Sequence, residues 1–166
     1  MRPKQIKKFI EKRYYAIGDI VLLTDQYYVE SCVFCRIIRG KEDATFIYRN
    51  NVVSAFLDIH PLFEGHVLIV PNKHFSDITD VDKESLDGTI EAAKIVSEML
   101  MKNLDADGIN IVHSTGKSAG QTIYHFHLHV LPRREEDDAQ FQRWWFSRSH
   151  KASREELNAL VSRILK

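Results

Sequence analysis

The chain has 166 residues, 44% apolar and 28% charged, which suits one soluble domain with a full-sized core. Acidic and basic residues balance at 23 each, so the overall charge points to no polyanionic partner, and nucleic acid is not expected as one. No run approaches the roughly 20 apolar residues of a membrane span, and none resembles a secretory signal, so a cytoplasmic protein with no membrane partner is expected.

Residues 1–31 read as an N-terminal extension. Arg2, Lys4, Lys7, Lys8, Lys12 and Arg13 stand against Glu11 alone, while Ile6, Phe9, Ile10 and Tyr14 recur at helical spacing. This describes the solvated face of a short helix; a phosphate-binding patch is the sharper alternative. The apolar run Ile20 to Leu23 and the pair Tyr27-Tyr28 follow. Thr45 to Tyr48, Val52 to Leu57 and His66 to Val70 read as strands, separated by turn candidates at Asn50-Asn51 and Gly65. A helix is expected from Asp82 to Lys102, with Leu86, Ile90, Ala93, Ser97 and Leu100 along one stripe and Asp107-Gly108 as the stop. Ile109 to His113 and Ile123 to Leu131 read as two further strands, joined by a loop holding Gly116 and Gly120. The tail carries a capping box, Ser153-x-x-Glu156, before a stripe of Leu157, Leu160, Val161 and Ile164. The expected architecture is α+β: a mainly antiparallel sheet with one long helix and a C-terminal helix. Residues 32–134 would form the main body, and 135–166 a tail and helix of the same domain.

The run His125-Phe126-His127-Leu128-His129 carries the chemistry. On a strand the three imidazoles share one face, roughly 6–7 Å apart, while Phe126, Leu128 and Val130 point into a core. Folding asks for no such arrangement, since His is neither a strong strand former nor a good core residue. A three-histidine metal site needs side chains that converge on a point, and positions i and i+4 of a flat strand lie about 13 Å apart. Nucleophilic attack by one histidine, assisted by its neighbours, fits better. With a pKa near 6.5, about three quarters of an ordinary imidazole is neutral at pH 7 and able to attack phosphorus. A protonated neighbour would hold the phosphoryl oxygens. The loop Gly116-Lys117-Ser118-Ala119-Gly120-Gln121-Thr122 lies directly before this run, and its glycines let N–H groups turn toward an anion. It is not a Walker loop, which sits between a strand and a helix.

Cys32-x-x-Cys35 is open between a redox pair, a metal site and two separate thiols. A closed zinc site needs two further ligands, and His60, His66, His74, His113 and His125 all qualify by residue type.

With His-φ-His-φ-His at its centre, the segment from Cys32 to Arg134 resembles the histidine-triad family of nucleotide hydrolases and transferases, in its zinc-containing, Hint- and Fhit-like branch. Supporting matches are Phe56-Leu57-Asp58-Ile59, then Gly65-His66-Val67-Leu68-Ile69-Val70-Pro71, and Lys73-His74. The resemblance implies that His127 attacks an α-phosphate to give a nucleotidyl-histidine, its other ring nitrogen donating to a main-chain carbonyl. His129 would bind phosphate oxygen and help protonate the leaving group. Gly120, Gln121 and Thr122 would line the phosphate site, Asp58 accept from the ribose hydroxyls, and Ile37, Phe56 and Ile59 pack around a purine. Ser114 stands where hydrolase members often carry asparagine. His66 is expected behind the site rather than on the substrate.

The resemblance also implies one structural Zn²⁺ on Cys32, Cys35, His74 and His125, a metal that would help orient His127. It further implies a homodimer. The expected substrate class is a purine nucleoside phosphoramidate or dinucleoside polyphosphate. The alternatives are a phosphorylase that uses phosphate in place of water, a repair enzyme acting on an adenylated nucleic-acid end, and a nucleotide-binding regulatory module with incidental turnover. Trp144, Trp145 and Phe146 stand out in the tail, either packed on the body or stacked on a leaving group.

Overall fold

The computed structural model describes residues 27–135, 137, 143, 147–149 and 151–165. The expected N-terminal helix, the run Ile20 to Leu23 and the aromatic cluster Trp144 to Phe146 lie outside the described residues. The elements in chain order are α1 Val33–Ile38, β1 Phe46–Arg49, β2 Val53–Leu57, β3 Val67–Pro71, α2 Lys83–Asn103, β4 Gly108–Val112, β5 Leu128–Arg133 and α3 Arg154–Ile164. The strands form one antiparallel sheet in the order β1-β2-β3-β5-β4. The chain divides into two compact units, meeting between Glu135 and Glu136.

Alternation along the strands gives the sheet two apolar faces. Val53 and Ala55 of β2, Val67 and Ile69 of β3, and Phe126, Leu128 and Val130 pack with Ala92, Ala93, Val96 and Leu100 of α2. Phe56, Leu68 and Val70 turn the other way and pack with Phe34, Cys35, Ile37 and Ile38 of α1. Each large side chain buried this way stabilises the fold by about 1.5–3 kcal/mol. The β1–β2 turn is fixed by Asn50, whose side-chain oxygen accepts from the N–H groups of Val52 and Val53 at 2.8 Å each.

The long helix starts where the sequence places it, with the Asp82 carboxylate accepting from the N–H of Ser85 at 2.7 Å. Its packed face differs from the expected stripe. Ser85, Thr89, Ala92, Ala93, Val96 and Leu100 are buried, while Ile90 is 54% exposed. Close approach is the reason: a Cβ on Gly88 would stand 2.8 Å from Val52 Cγ1, so small residues must face the sheet there. Thr89 satisfies its buried hydroxyl by donating to the carbonyl of Ser85 at 2.7 Å.

Two more differences matter. The segment 33–38, where the sequence predicts no element, is a helical turn and a half whose apolar residues cover the second face of the sheet. The last strand begins at Leu128 rather than Ile123, so His125 and His127 precede the ladder. Tyr27 and Tyr28 pack against the body: the Tyr27 carbonyl accepts from the His74 N–H, and its ring lies 6.0 Å from that of Phe75. In the second unit, Ser153 and Glu156 form the expected reciprocal cap of α3. The stripe Leu157, Leu160, Val161 and Ile164 is exposed. No described helix is long and apolar enough to cross a membrane.

Candidate functional site

The triad keeps strand-like alternation although its first three residues stand outside the ladder. Phe126 is fully buried on the α2 side. His125 and His127 face the opposite way, with ring centroids 5.9 and 5.3 Å from that of Phe34. Side chains and single backbone contacts replace the missing ladder. Phe126 N–H donates to the Phe75 carbonyl at 2.6 Å, and His125 Nε2 donates to the Pro71 carbonyl at 3.0 Å. His127 Nδ1 lies 2.6 Å from the carbonyl of His125. A carbonyl can only accept, so the proton is on Nδ1 and the lone pair on Nε2. Burial pushes His127 down to about 4, which keeps the ring neutral at pH 7. His127 is therefore a neutral imidazole with a free Nε2 lone pair.

His129 follows at a ring separation of 5.0 Å. Its Nδ1 lies 2.9 Å from His66 Nε2, and His66 Nδ1 lies 3.3 Å from the N–H of Leu62. The Leu62 N–H can only donate, so the neutral His66 carries its proton on Nε2 and donates to His129. The remaining proton of His129 is then on Nε2, free to be donated outward. Burial pushes both rings below the ordinary histidine value, each partly offset by the Asp58 carboxylate. Asp58 stands 3.6 Å from His66 Nδ1 and accepts from the His60 N–H at 2.8 Å. His66 is 2% exposed, behind His129 rather than at the surface.

The other end of the run is a cluster of sulfur and nitrogen. Ligand atoms of Cys32, Cys35, His74 and His125 lie within 4.8 Å of one another. Cys32 Sγ is 3.4 Å and Cys35 Sγ 3.6 Å from His125 Nδ1, and Cys35 Sγ is 3.3 Å from His74 Nδ1. Tetrahedral zinc with the usual bond lengths separates sulfur and nitrogen ligands by roughly 3.5 Å, so the donor set and spacing fit this metal. His125 also has the right tautomer, its Nε2 proton being spent on Pro71 so that Nδ1 faces the thiols unprotonated. The hydrogen bond between the thiols holds Cys32 far below the usual thiol value and raises Cys35. Both cysteines are buried and free of disulfide bonds.

In the loop, a 3₁₀ turn at Lys117–Ala119 lies between Gly116 at φ 77° and Gly120 at φ 91°, conformations that favour glycine. Gln121 is 4% exposed and its polar atoms are engaged: Oε1 accepts from Gly116 N–H at 2.8 Å, while Nε2 donates to the carbonyls of Ser76 and Ile123. Its side chain staples the loop, whereas Gly120 and Thr122 are exposed and Ser114 half-buried. Ile37 and Phe56 are buried, Phe56 packing edge-on against Phe34 and Phe46, and Ile59 is 83% exposed on the loop after β2.

Three features were not read from the sequence. Phe34 walls the histidine face, Gln121 closes the loop on itself, and His113 reaches the main chain of His127 with its Nδ1 at 2.9 Å. His113 left a signal as the histidine that ends a predicted strand and as one of the possible metal ligands, Gln121 as an expected phosphate contact, and Phe34 left none.

Comparison with known proteins agrees with this geometry. A family profile for the HIT domain matches residues 39–136. An uncharacterized HIT-like protein of Methanocaldococcus jannaschii is 42% identical over 106 residues, covering 64% of this chain and 81% of that protein. The adenylylsulfatase HINT3 of Arabidopsis thaliana is 33% identical over 64% of this chain, which spans 54% of that longer protein. A zinc-bound histidine triad family protein from Mycobacterium smegmatis superposes with a TM-score of 0.64 at 38% identity, covering 76% of this chain and 86% of that one. The profile match over more than half of the chain and the shared fold lead to one conclusion: this protein belongs to the HIT family, a superfamily of nucleotide-binding hydrolases and transferases.

Proposed function

We propose that the protein is a nucleotidyl transferase and hydrolase whose nucleophile is His127. The observation that carries this is the ring state of His127, a buried neutral imidazole whose Nδ1–H donates to the His125 carbonyl and whose Nε2 lone pair is free. Nε2 attacks the α-phosphate of a purine nucleotide, the bond from phosphorus to the leaving group breaks, and the leaving group takes a proton from His129 Nε2. Water then attacks the same phosphorus and gives its proton back to His129 Nε2, the N–P bond breaks, and the nucleoside monophosphate departs with both rings restored. The two displacements replace one harder step. The substrate class is a purine nucleoside phosphoramidate or a dinucleoside polyphosphate. The relative named for adenylyl sulfate points to the same electrophile, an adenosine α-phosphate with a different leaving group.

The roles of the remaining residues follow from their places. The exposed Gly120 and the Thr122 hydroxyl line the phosphate, together with Ser114, while the N–H groups of Ala119, Gly120 and Gln121 are donated to carbonyls within the loop. The Gln121 side chain supports that loop rather than touching substrate. Asp58 accepts from the ribose, and Ile37, Phe56 and Ile59 flank the base. Cys32, Cys35, His74 and His125 hold a structural Zn²⁺, which when bound would fix the start of the catalytic segment. The free buried thiols suit a reducing compartment, and we place the protein in the cytoplasm. Ile90 and Met101, eleven positions apart on one side of α2, and Ile111 on the edge strand β4 are exposed apolar residues that favour a homodimer. A sedimentation mass of one chain would contradict the dimer.

The test is His127→Ala. Turnover of adenosine phosphoramidate and diadenosine tetraphosphate should fall at least about 10³-fold while nucleotide binding is kept. More than a tenth of the activity remaining would rule out this nucleophile. In place of catalysis, the regulatory-module reading expects wild-type protein that binds nucleotide and consumes none.

A further inference from the structure

The β4–β5 ladder ends at the pair Val112–His129, and the β3–β5 ladder ends at Ile69–Leu128. His127 therefore lies just beyond both, where no strand partner holds its backbone. A position so close to the reaction is poorly served by a free peptide, because a misplacement of about 1 Å can cost about 10²-fold in rate. The side chain of His113, the first residue after β4, fills the gap. Its Nδ1 lies 2.9 Å from the His127 carbonyl and its Nε2 lies 2.9 Å from Thr115 Oγ1. Its ring also packs edge-on against Phe126, at 4.8 Å and 68°.

We infer that His113 is a positioning residue for the nucleophile, its imidazole acting as the ladder partner that the backbone of His127 lacks. The carbonyl can only accept, so His113 carries a proton on Nδ1, and in the neutral ring Nε2 accepts from the Thr115 hydroxyl. This tautomer is imposed by its partners. One ring thus joins the catalytic segment to the first residues of the phosphate loop, since Thr115 adjoins Gly116. Both nitrogens are occupied, which leaves His113 no free atom for a metal or for substrate. The inference rests on the reading of His127 as the nucleophile.

Two variants separate positioning from bulk. His113→Leu keeps a side chain that can pack on Phe126 but has no donor. His113→Asn places an amide nitrogen near the position of Nδ1 and loses the link to Thr115. We expect His113→Leu to lower kcat for adenosine phosphoramidate by about 10- to 100-fold with KM changed less than about 3-fold. His113→Asn should recover kcat to within about 5-fold of wild type. Imidazole ¹⁵N spectra of the wild type, taken without substrate, should show His113 protonated on Nδ1. In His113→Leu the Nδ1 proton of His127 should exchange with solvent at least about 10-fold faster. Wild-type kcat in the Leu variant would overturn the inference. So would an Asn variant no better than Leu, a neutral His113 protonated on Nε2, or unchanged exchange at His127. If the wild type turns over no nucleotide, the proposed reaction fails, while the spectra and exchange rates still decide whether His113 holds the segment.

Discussion

The two outer histidines of the triad are the same residue type two positions either side of His127, and their surroundings are opposite. His125 is fully buried, with Nε2 spent on the Pro71 carbonyl and Nδ1 turned to two thiols. His129 is partly exposed, accepts a hydrogen bond from His66, and keeps one N–H free to be donated outward. One end is an anchor with no remaining hydrogen-bonding capacity, and the other is a donor with capacity in reserve. Alternation on a strand put the three rings on one side; neighbouring elements then assigned each a different task.

The anchor end should show the largest response. Cys35→Ala should reduce zinc from about one equivalent to below about 0.2 and lower Tm by at least about 10 °C, because a structural metal contributes folding free energy directly. Elemental analysis and calorimetry check both. Full zinc content and an unchanged Tm would remove the anchor from the account. At the donor end, His129→Ala should cost about 10²-fold in kcat while leaving Tm within about 3 °C, the loss of one donor to developing charge. A similar fall in Tm at both ends would erase the contrast between them.

A smaller effect is expected behind His129. In His66→Leu, His129 no longer has its tautomer set by a partner, and kcat should fall roughly 10-fold with KM little changed. Steady-state kinetics decides this, and an unchanged kcat would show that His129 needs no support. The smallest prediction concerns pH. Burial holds His66 and His129 below the ordinary value of about 6.5, so the unfolded chain binds more protons there than the folded one. Stability from this source is complete above pH 6.5 and declines as pH falls through the lower folded-state values. The drop in Tm between pH 7 and 5.5 should be smaller in His66→Leu than in wild type by a few degrees, about 2–4 °C. An equal drop in the two proteins would contradict the shift at His66.

Much of this was legible in the sequence because it rests on local periodicity. The five strands, the start of the long helix at Asp82, the Ser153 capping box and the facing of Phe126, Leu128 and Val130 all follow from periodicity or capping patterns. The grouping of Cys32 and Cys35 with His74 and His125 was reached by resemblance, since spacing alone left other histidines open. What stayed hidden depends on close approach between distant segments. Ser85 and Thr89 face the sheet because Gly88 lets α2 press on Val52, which no apolar count of the helix reveals. The helix Val33–Ile38 is too short for its periodicity to declare it, and Cys32 makes no side-chain cap bond. Gln121 looked like a phosphate ligand by position, yet its partner Ser76 lies 45 residues away. His113 was visible as a histidine, but its contact with the His127 carbonyl depends on where the β4–β5 ladder stops.

The central claim is that His127 Nε2 forms a bond to phosphorus, and intact mass tests it most directly. Wild-type protein would be mixed with adenosine phosphoramidate, quenched within milliseconds at alkaline pH because phosphoramidates are acid-labile, and compared with His127→Ala. The account predicts a transient adenylyl adduct on the wild type, mapped to His127 and absent from the variant. An adduct that persists in His127→Ala, or one mapped to another side chain, would contradict it.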